Sequence, residues 1–335
     1  MTDIILISND QIYLEKKKLY ADFNDIINII EAIQKNFNIF LISKESKSKK
    51  DFFLKISNKI KNVNFKSILY LKRKKNLKIF MVSITPRNLF FFIIIKLLIG
   101  KIDGYVYLRS NGHKEYEKKI GLFGSFIYDL MKKYLENNLK TISVSKEIIS
   151  SKYTAFLTPS ELDQLWFKRS KKVSIDIPKI LYFGRFKKEK GVYSLINLFS
   201  RLKLKHELTI AGDSNFVGTN DGNIKFLNEI TDKIKIIELY DAHNIFILPS
   251  YTEGAPKVIL ESLVRKIPVI VFKEIKHVKL NFKGIFVCDR NISSLEKNIK
   301  FIIKNYYKIQ LEMKKNNLPT KKNFIKELSS TIMQD

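Results

Sequence analysis

Apolar and polar positions fall into alternating blocks along this chain. The short apolar runs Ile4–Ile7, Asn38–Ile42, Lys78–Ser83, Tyr105–Leu108 and Thr141–Val144 have the length of buried strands. Stretches with apolar residues at helical spacing lie between them. One covers about Asp22–Asn36, with Ile26, Ile27, Ile30 and Ile33 on one stripe. Thr85-Pro86 is a helix-start signal for the Phe-rich helix Leu89–Ile99. A long helix, Phe123–Asn138, is expected to present Phe126, Ile127, Leu130, Met131 and Leu135 on one side. A charged helix over roughly Asp51–Lys61, a strand near Ser67–Leu71, a loop with an Asn-Gly turn from Arg109 to Tyr116, and a strand over Tyr153–Leu157 complete the first half. Alternation of this kind predicts a doubly wound α/β domain.

The periodicity breaks over Leu165–Ser174, which is charged, and the domain linker is expected there. A second alternation follows: strand Lys179–Phe183, turn Gly184–Gly191, helix Val192–Arg201, strand Glu207–Ala211, turn Gly212-Asp213, a strand near Asn223–Leu227, and a helix around Thr231–Ala242. The stretch Asn244–Val271 is the organising one. An apolar run, Ile245–Leu248, ends at Pro249, a polar turn contains Gly254, and a helical pattern leads through Pro268 to another apolar run. That is a strand–turn–helix–strand unit of a parallel sheet. A strand at Gly284–Val287, a helix at about Ser293–Asn305 and a Lys-rich tail follow. The expected division is 1–170, 171–315 and a helical tail 316–335.

The length of 335 residues suits two α/β domains. The single cysteine, Cys288, excludes a disulfide within the chain and fits a reducing compartment. The N-terminus has no basic region or cleavage site of a signal peptide. Leu89–Ile99 is the most apolar segment, well short of the roughly 20 residues that span a bilayer, and reads as a buried or interfacial helix. The net charge of +28, mostly lysine, attracts polyanions. Compositional drift toward Lys, Ile, Asn and Phe accounts for part of it. The remainder points to the anionic face of a membrane rather than to nucleic acid, for which no motif is present.

Three turns of the second half carry candidate chemistry. Arg185 and Lys190 would stand at the carboxyl end of a strand beside a helix start, a ready anion site; they could equally be solvated loop cations. Gly212, closing another strand, would let a ligand approach the backbone. Glu253 lies in the third turn, with Glu261 about two helical turns beyond it. The alternative is that Glu253 caps the helix and Glu261 is a surface residue. Gly254 and Ala255 would expose backbone N–H groups to a phosphate. Cations and amides for a diphosphate, with carboxylates for hydroxyls, suggest a nucleotide-sugar.

The stretches YFGRFKKEKG, LTIAGD, LYDAHNIFILPSYTEGAPKVILESLVRKIPVIV and KGIFV, in order from Leu181 to Val287, resemble the donor domain of GT-B glycosyltransferases, specifically the retaining family 4. The resemblance implies two Rossmann-like domains facing across a cleft, an acceptor-side N-terminal domain and a nucleotide-sugar donor domain. It implies a hexosyl- or glycosyltransferase of cytoplasmic location, on the inner face of the membrane where peripheral, needing no metal and no cofactor. By the same resemblance Arg185 and Lys190 contact the donor diphosphate and stabilise the leaving group. Glu253 lies near the transferred sugar, Glu261 holds ribose hydroxyls, and Gly184, Gly212, Gly254 and Ala255 line the donor. The implied acceptor is a glycan or lipid-linked sugar in surface polysaccharide, lipopolysaccharide or glycolipid synthesis. The first half departs from the family. SNDQIYLEKKK replaces a Gly-rich loop after the first strand. Arg109 occupies the strand end where a His is common, and His113 is the nearest candidate for a sugar-side His, or else a surface His. TPSELDQ replaces the turn usual before the linker. The runner-up is therefore a nucleotide-sugar-binding protein impaired in turnover.

Overall fold

The computed structural model describes residues 2–16, 18–21, 24–48, 54–56, 60–63, 68–71, 76–148, 154–168, 175–212 and 222–334. Two units emerge: residues 1–159 with 321–335, and residues 160–320. The boundary thus falls before the expected Leu165–Ser174 linker. Leu162 and Trp166 are buried in the core of unit 2, and the Trp166 ring meets Tyr240 edge-on at 5.8 Å. Residues 169–174 lie outside the described residues.

Unit 1 begins with β1 (Thr2–Glu15), β2 (Lys18–Ala21), α1 (Asn24–Ile33), β3 (Phe37–Glu45), β4 (Leu54–Lys55), β5 (Lys61–Asn62), α2 (Ile68–Leu71) and β6 (Leu77–Val82). It continues with α3 (Pro86–Ile99), β7 (Asp103–Leu108), α4 (Gly112–Ile120), α5 (Leu122–Glu136), β8 (Lys140–Ser143) and β9 (Ala155–Phe156). Unit 2 holds β10 (Lys179–Phe183), α6 (Val192–Ser200), β11 (Glu207–Ala211), β12 (Ile224–Leu227), α7 (Lys233–Asp241), β13 (Ile245–Leu248), α8 (Lys257–Val264), β14 (Val269–Phe272), β15 (Ile285–Cys288), α9 (Ile292–Lys304) and α10 (Tyr306–Met313). The tail returns to unit 1 as α11 (Lys321–Met333), which buries Phe324, Leu328 and Ile332.

Several expectations are corrected in unit 1. β1 runs on through Glu15, beyond the expected Ile7, and its far half pairs antiparallel with β2. Leu54–Lys55 and Lys61–Asn62 are short strands, not parts of one charged helix, and the rest of that stretch is only partly described. Ile68–Leu71 is a helical turn, not a strand. The Arg109–Tyr116 loop is mostly helix α4, because Asn111 acts as its N-cap and accepts from the Lys114 N–H at 3.1 Å. α5 buries Gly124, Ser125, Tyr128, Met131 and Leu135, while Phe126 and Leu130 of the expected stripe are exposed. The helix expected from Thr85-Pro86 is present, and Thr85 accepts from the Asn88 N–H at 3.2 Å.

In unit 1 a parallel core runs β5-β3-β1-β6-β7-β8-β9, with β2 and β4 added antiparallel beyond the far half of β1. Unit 2 has a parallel sheet in the order β12-β11-β10-β13-β14-β15. The strands of β13 and β14 are buried throughout, as strands covered on both faces must be. Counted from its own first strand, this is the 3-2-1-4-5-6 order of a Rossmann sheet, which reverses direction between its first and fourth strands. Here those strands are β10 and β13.

A buried cation ties the start of unit 2 to the end of α8. Arg265 donates to both Asp241 carboxylate oxygens at 2.8 and 2.7 Å, and to the Trp166 and Lys168 carbonyls at 2.6 Å each. Its side chain is 1% exposed. Arg265→Leu should therefore destabilise unit 2 by about 3–5 kcal/mol, since it leaves Asp241 and two carbonyls without their donor. Hydrogen exchange on the full chain checks this: protection should fall in residues 160–320 far more than in unit 1.

Candidate functional site

In an open α/β sheet, ligands bind outside the carboxyl ends of the strands where the strand order reverses. In unit 2 this places the turns after β10 and β13 at the centre of attention. The turn after β10 is Gly184–Gly191, and it brings Lys190 to Glu253 of the turn after β13. The Lys190 ammonium donates to Glu253 Oε1 at 2.6 Å, and the Ser250 hydroxyl donates to the same oxygen at 2.6 Å. The Glu253 side chain is 9% exposed and Lys190 21%. Charges this far out of water attract each other, and any incoming ion, more strongly than charges in bulk solvent do.

The backbone around the pair leaves no room for side chains. Gly191 has φ +71, and a Cβ there would stand 2.0 Å from the Pro249 carbonyl oxygen. Gly212 has φ +120, and a Cβ would stand 2.8 Å from the Gly184 carbonyl oxygen. Only glycine satisfies both the dihedral and the contact. α6 and α8 start here without a side-chain cap, and the positive ends of their dipoles favour an anion. The reading of Glu253 as a cap is thereby set aside: Pro256 is the N-cap residue of α8, and the Glu253 carboxylate is committed to Lys190 and Ser250. Arg185 is exposed, and its guanidinium has no ion pair among the described residues. Asp213 lies outside them.

Glu261 has a different environment. It lies on α8 and accepts the Tyr240 hydroxyl at 3.0 Å. Burial pushes its carboxyl up to about 7, against the partly offsetting Tyr240 hydrogen bond and Lys257 charge. Burial, and then the neighbouring Glu261, raise the Tyr240 hydroxyl well above its ordinary range. Lys257 is itself paired with Glu161 at 2.6 Å. Glu161 belongs to the TPSELDQ stretch, so the segment that departs from the family turn reaches the surroundings of Glu261.

Sequence reasoning missed the residues that hold the Glu253 turn. Arg290, just after β15, donates to the Pro249 carbonyl at 2.9 Å, pairs with Glu274 at 2.7 Å, and stacks over the Tyr251 and Phe272 rings at 4.1 and 4.2 Å. His277 meets the Glu253 carbonyl at 3.0 Å, and the Tyr251 N–H donates to the Glu189 carbonyl at 2.9 Å. The available signal was position: Arg290 is a cation at the carboxyl edge of the last strand.

The candidates of unit 1 separate. Arg109 does stand at the carboxyl edge of the sheet, but it is engaged. It donates to Asp10 through both terminal nitrogens at 3.2 and 3.0 Å, to the Ser83 hydroxyl at 3.1 Å, and lies 3.6 Å from Asp25. Burial works against its charge, and the Asp10 and Asp25 carboxylates outweigh burial, so its pKa is raised. His113 is on α4, about half exposed, and pairs with Asp129 of α5 at 2.9 Å. Asp10 belongs to the extended β1, in the stretch where the family carries its glycines. Among the described residues no His, Cys, Asp or Glu group could hold a metal ion, and no helix is long and apolar enough to cross a membrane.

Residues 166–318 match the family model "Glycosyl transferases group 1". TuaC of Bacillus subtilis (strain 168), a glycosyltransferase named for teichuronic acid biosynthesis, is 32% identical over 95 residues, 27% of this chain and 23% of that protein. The matched stretches span less than half the length of the curated relatives. Among solved structures, the sucrose-phosphate synthase of Thermosynechococcus elongatus superposes with a TM-score of 0.70 at 14% identity, over 99% of this chain and 95% of that one. Anabaena HepE, solved in complex with UDP-glucose, superposes with a TM-score of 0.63 at 12% identity over the same shares. At such identities the likeness establishes the fold. The protein therefore has the GT-B fold, and its residues 166–318 resemble the glycosyl transferases group 1 family.

Proposed function

We propose that this protein is a retaining, metal-independent glycosyltransferase that moves a sugar from a nucleoside diphosphate to a glycan or lipid-linked acceptor in surface polysaccharide, lipopolysaccharide or glycolipid synthesis, working at the anionic inner face of a membrane. The observation that carries this reading is the partly buried Lys190–Glu253 pair at the strand-order reversal of unit 2, flanked by two helix starts without a side-chain cap. A relative named for teichuronic acid biosynthesis supports the pathway class, and a fold neighbour solved with UDP-glucose supports the donor class.

In this reading the diphosphate draws on Lys190, Arg185 and the amides at the starts of α6 and α8. As the glycosyl bond breaks, its electron pair stays on the departing nucleoside diphosphate. Preorganised cations in a dry site then take up the developing charge, the task a metal performs elsewhere. Glu253 with Gly254 and Ala255 faces the sugar, and ionised Glu261 accepts two ribose hydroxyls. Lys190 exchanges its carboxylate partner for phosphate when the donor arrives.

A second reading, nucleotide-sugar binding without turnover, is favoured by one observation. β1 and β2 form an antiparallel ladder where the family has a Gly-rich loop, so that loop's backbone contacts with the donor are missing. A panel of UDP-, GDP- and ADP-sugars separates the readings: a thermal shift with transfer or hydrolysis favours the first, a shift with neither favours the second, and no shift with any sinks both.

Lys190→Ala should lower transfer by about 10²–10³-fold and abolish the thermal shift of the responding donor. If both survive, the diphosphate binds elsewhere. Glu261 predicts a pH dependence. Its folded pKa of about 7 lies above the ordinary 4.5, so its stabilising contribution is complete below about 4.5 and is lost as pH rises through 7. Glu261→Gln, which still accepts from Tyr240, should gain thermal stability over the parent protein across that window. Donor affinity runs the other way. Two ribose hydrogen bonds require the ionised carboxylate, so affinity in the parent should fall below about pH 7, and calorimetry on Glu261→Gln should find it flat.

A further inference from the structure

Unit 1 carries an apolar face that no described part of the unit covers. The α3 sequence, PRNLFFFIIIKLLI, is apolar around its whole circumference, the pattern of a helix meant to be buried. Yet only one side is packed, through Asn88, Phe92 and Ile95, while Phe90 is 54% and Leu97 80% exposed. On α5 the small residues Gly124 and Ser125 turn inward, and Leu122 and Phe123 are left 79% and 68% exposed, with Phe126 and Leu130 behind them. The helices are neighbours: Phe92 meets Tyr134 edge-on at 6.3 Å, and the Lys96 ammonium bonds Asn138 just past the end of α5.

We propose that this face docks on the surface of an anionic lipid bilayer. The inference deepens the function proposed above, and rests on it only for what the membrane supplies, an acceptor. Exposed lysines accompany the apolar side chains: Lys118 and Lys119 end α4 immediately before Leu122, Lys133 lies on α5, and Lys101 follows α3. Such side chains keep their ammonium groups at the headgroup level while their stems and the neighbouring rings enter the acyl boundary. Each basic residue near an anionic leaflet adds about 1 kcal/mol, and the chain as a whole carries +28. A second copy fits less well, because a two-fold contact would set this lysine set against its own image. Among the described residues no helix can span a bilayer, so the face lies on the membrane rather than across it.

The test is vesicle flotation of the full chain, with phosphatidylethanolamine–phosphatidylglycerol vesicles against phosphatidylcholine alone. The protein should float with the anionic vesicles only. Leu122→Ser/Phe123→Ser/Phe126→Ser, all at exposed positions, should weaken binding on the order of a hundredfold, and Lys118→Glu/Lys119→Glu should weaken it separately and in a salt-dependent way. Unchanged flotation of the triple variant, equal binding to phosphatidylcholine, or no binding by the parent overturns the proposal. So does a parent dimer that the triple variant makes monomeric. The donor thermal shift, measured on the same proteins, should survive both variants. If the parent shows no donor shift while flotation behaves as expected, the glycosyltransferase reading fails and the docking surface stands.

Discussion

The reversal of strand order between β10 and β13 is the constraint on which unit 2 depends. Parallel neighbours must be joined by crossover helices, and those on either side of the reversal leave toward opposite edges of the sheet. The turns at the reversal therefore separate and leave their backbone ends open to a ligand. Everything at the site answers to that gap. Gly191 and Gly212 let the turns pass within contact distance of Pro249 and Gly184. Lys190 and Glu253 each come from the turn after one of the two strands and meet across it. A charge taken out of water without a partner is costly, so the topology that brings these two residues together also lets each satisfy the other.

The two glutamates of the motif differ in how they are held. Glu253 has a cation and a hydroxyl on a single oxygen, and its turn is braced by Arg290 and His277. Among the described residues Glu261 has a phenol and no direct cation, and burial raises its pKa to about 7. The first carboxylate is held between the Lys190 ammonium and the Ser250 hydroxyl. The second is held by a single neutral hydroxyl, and burial raises its pKa. Spacing alone could place both on one ligand but could not tell these characters apart, because the difference comes from Tyr240, Lys257 and Glu161, distant in sequence.

Unit 2 was legible because its central strands β13 and β14 are buried on both faces. Runs such as Ile245–Leu248 and Val269–Phe272 read as strands from composition alone, and the turns between them carry the chemistry. Unit 1 was less so. Its ladder between Ile12–Glu15 and Lys18–Ala21 has mixed polarity and a lysine-rich turn, with no hairpin signal of the Asn-Gly kind. Asn-Gly does occur at Asn111-Gly112, where it starts a helix, since an asparagine before a glycine serves equally as an N-cap. Arg109 was located correctly at a strand end, but its engagement by Asp10 depended on β1 continuing past Ile7, which the periodicity did not show.

α5 shows why the largest apolar residues do not always mark the core. Its inward side carries Gly124, where a Cβ would stand 2.5 Å from the Tyr116 carbonyl oxygen. Close approach of α4 and α5 requires small residues there, as helices in contact at short range do generally. With Gly124 and Ser125 inward, Leu122, Phe123, Phe126 and Leu130 are turned outward by geometry, at 3.6 residues per turn, while Tyr128, Met131 and Leu135 stay inside. A sequence that needed only to fold could have placed polar residues on that outer side, where Leu122, Phe123, Phe126 and Leu130 stand. Keeping them apolar costs solubility, and α3 does the same beside it with Phe90 and Leu97. Two neighbouring helices that share this feature, with lysines at their ends, form one surface chemistry rather than two accidents of packing.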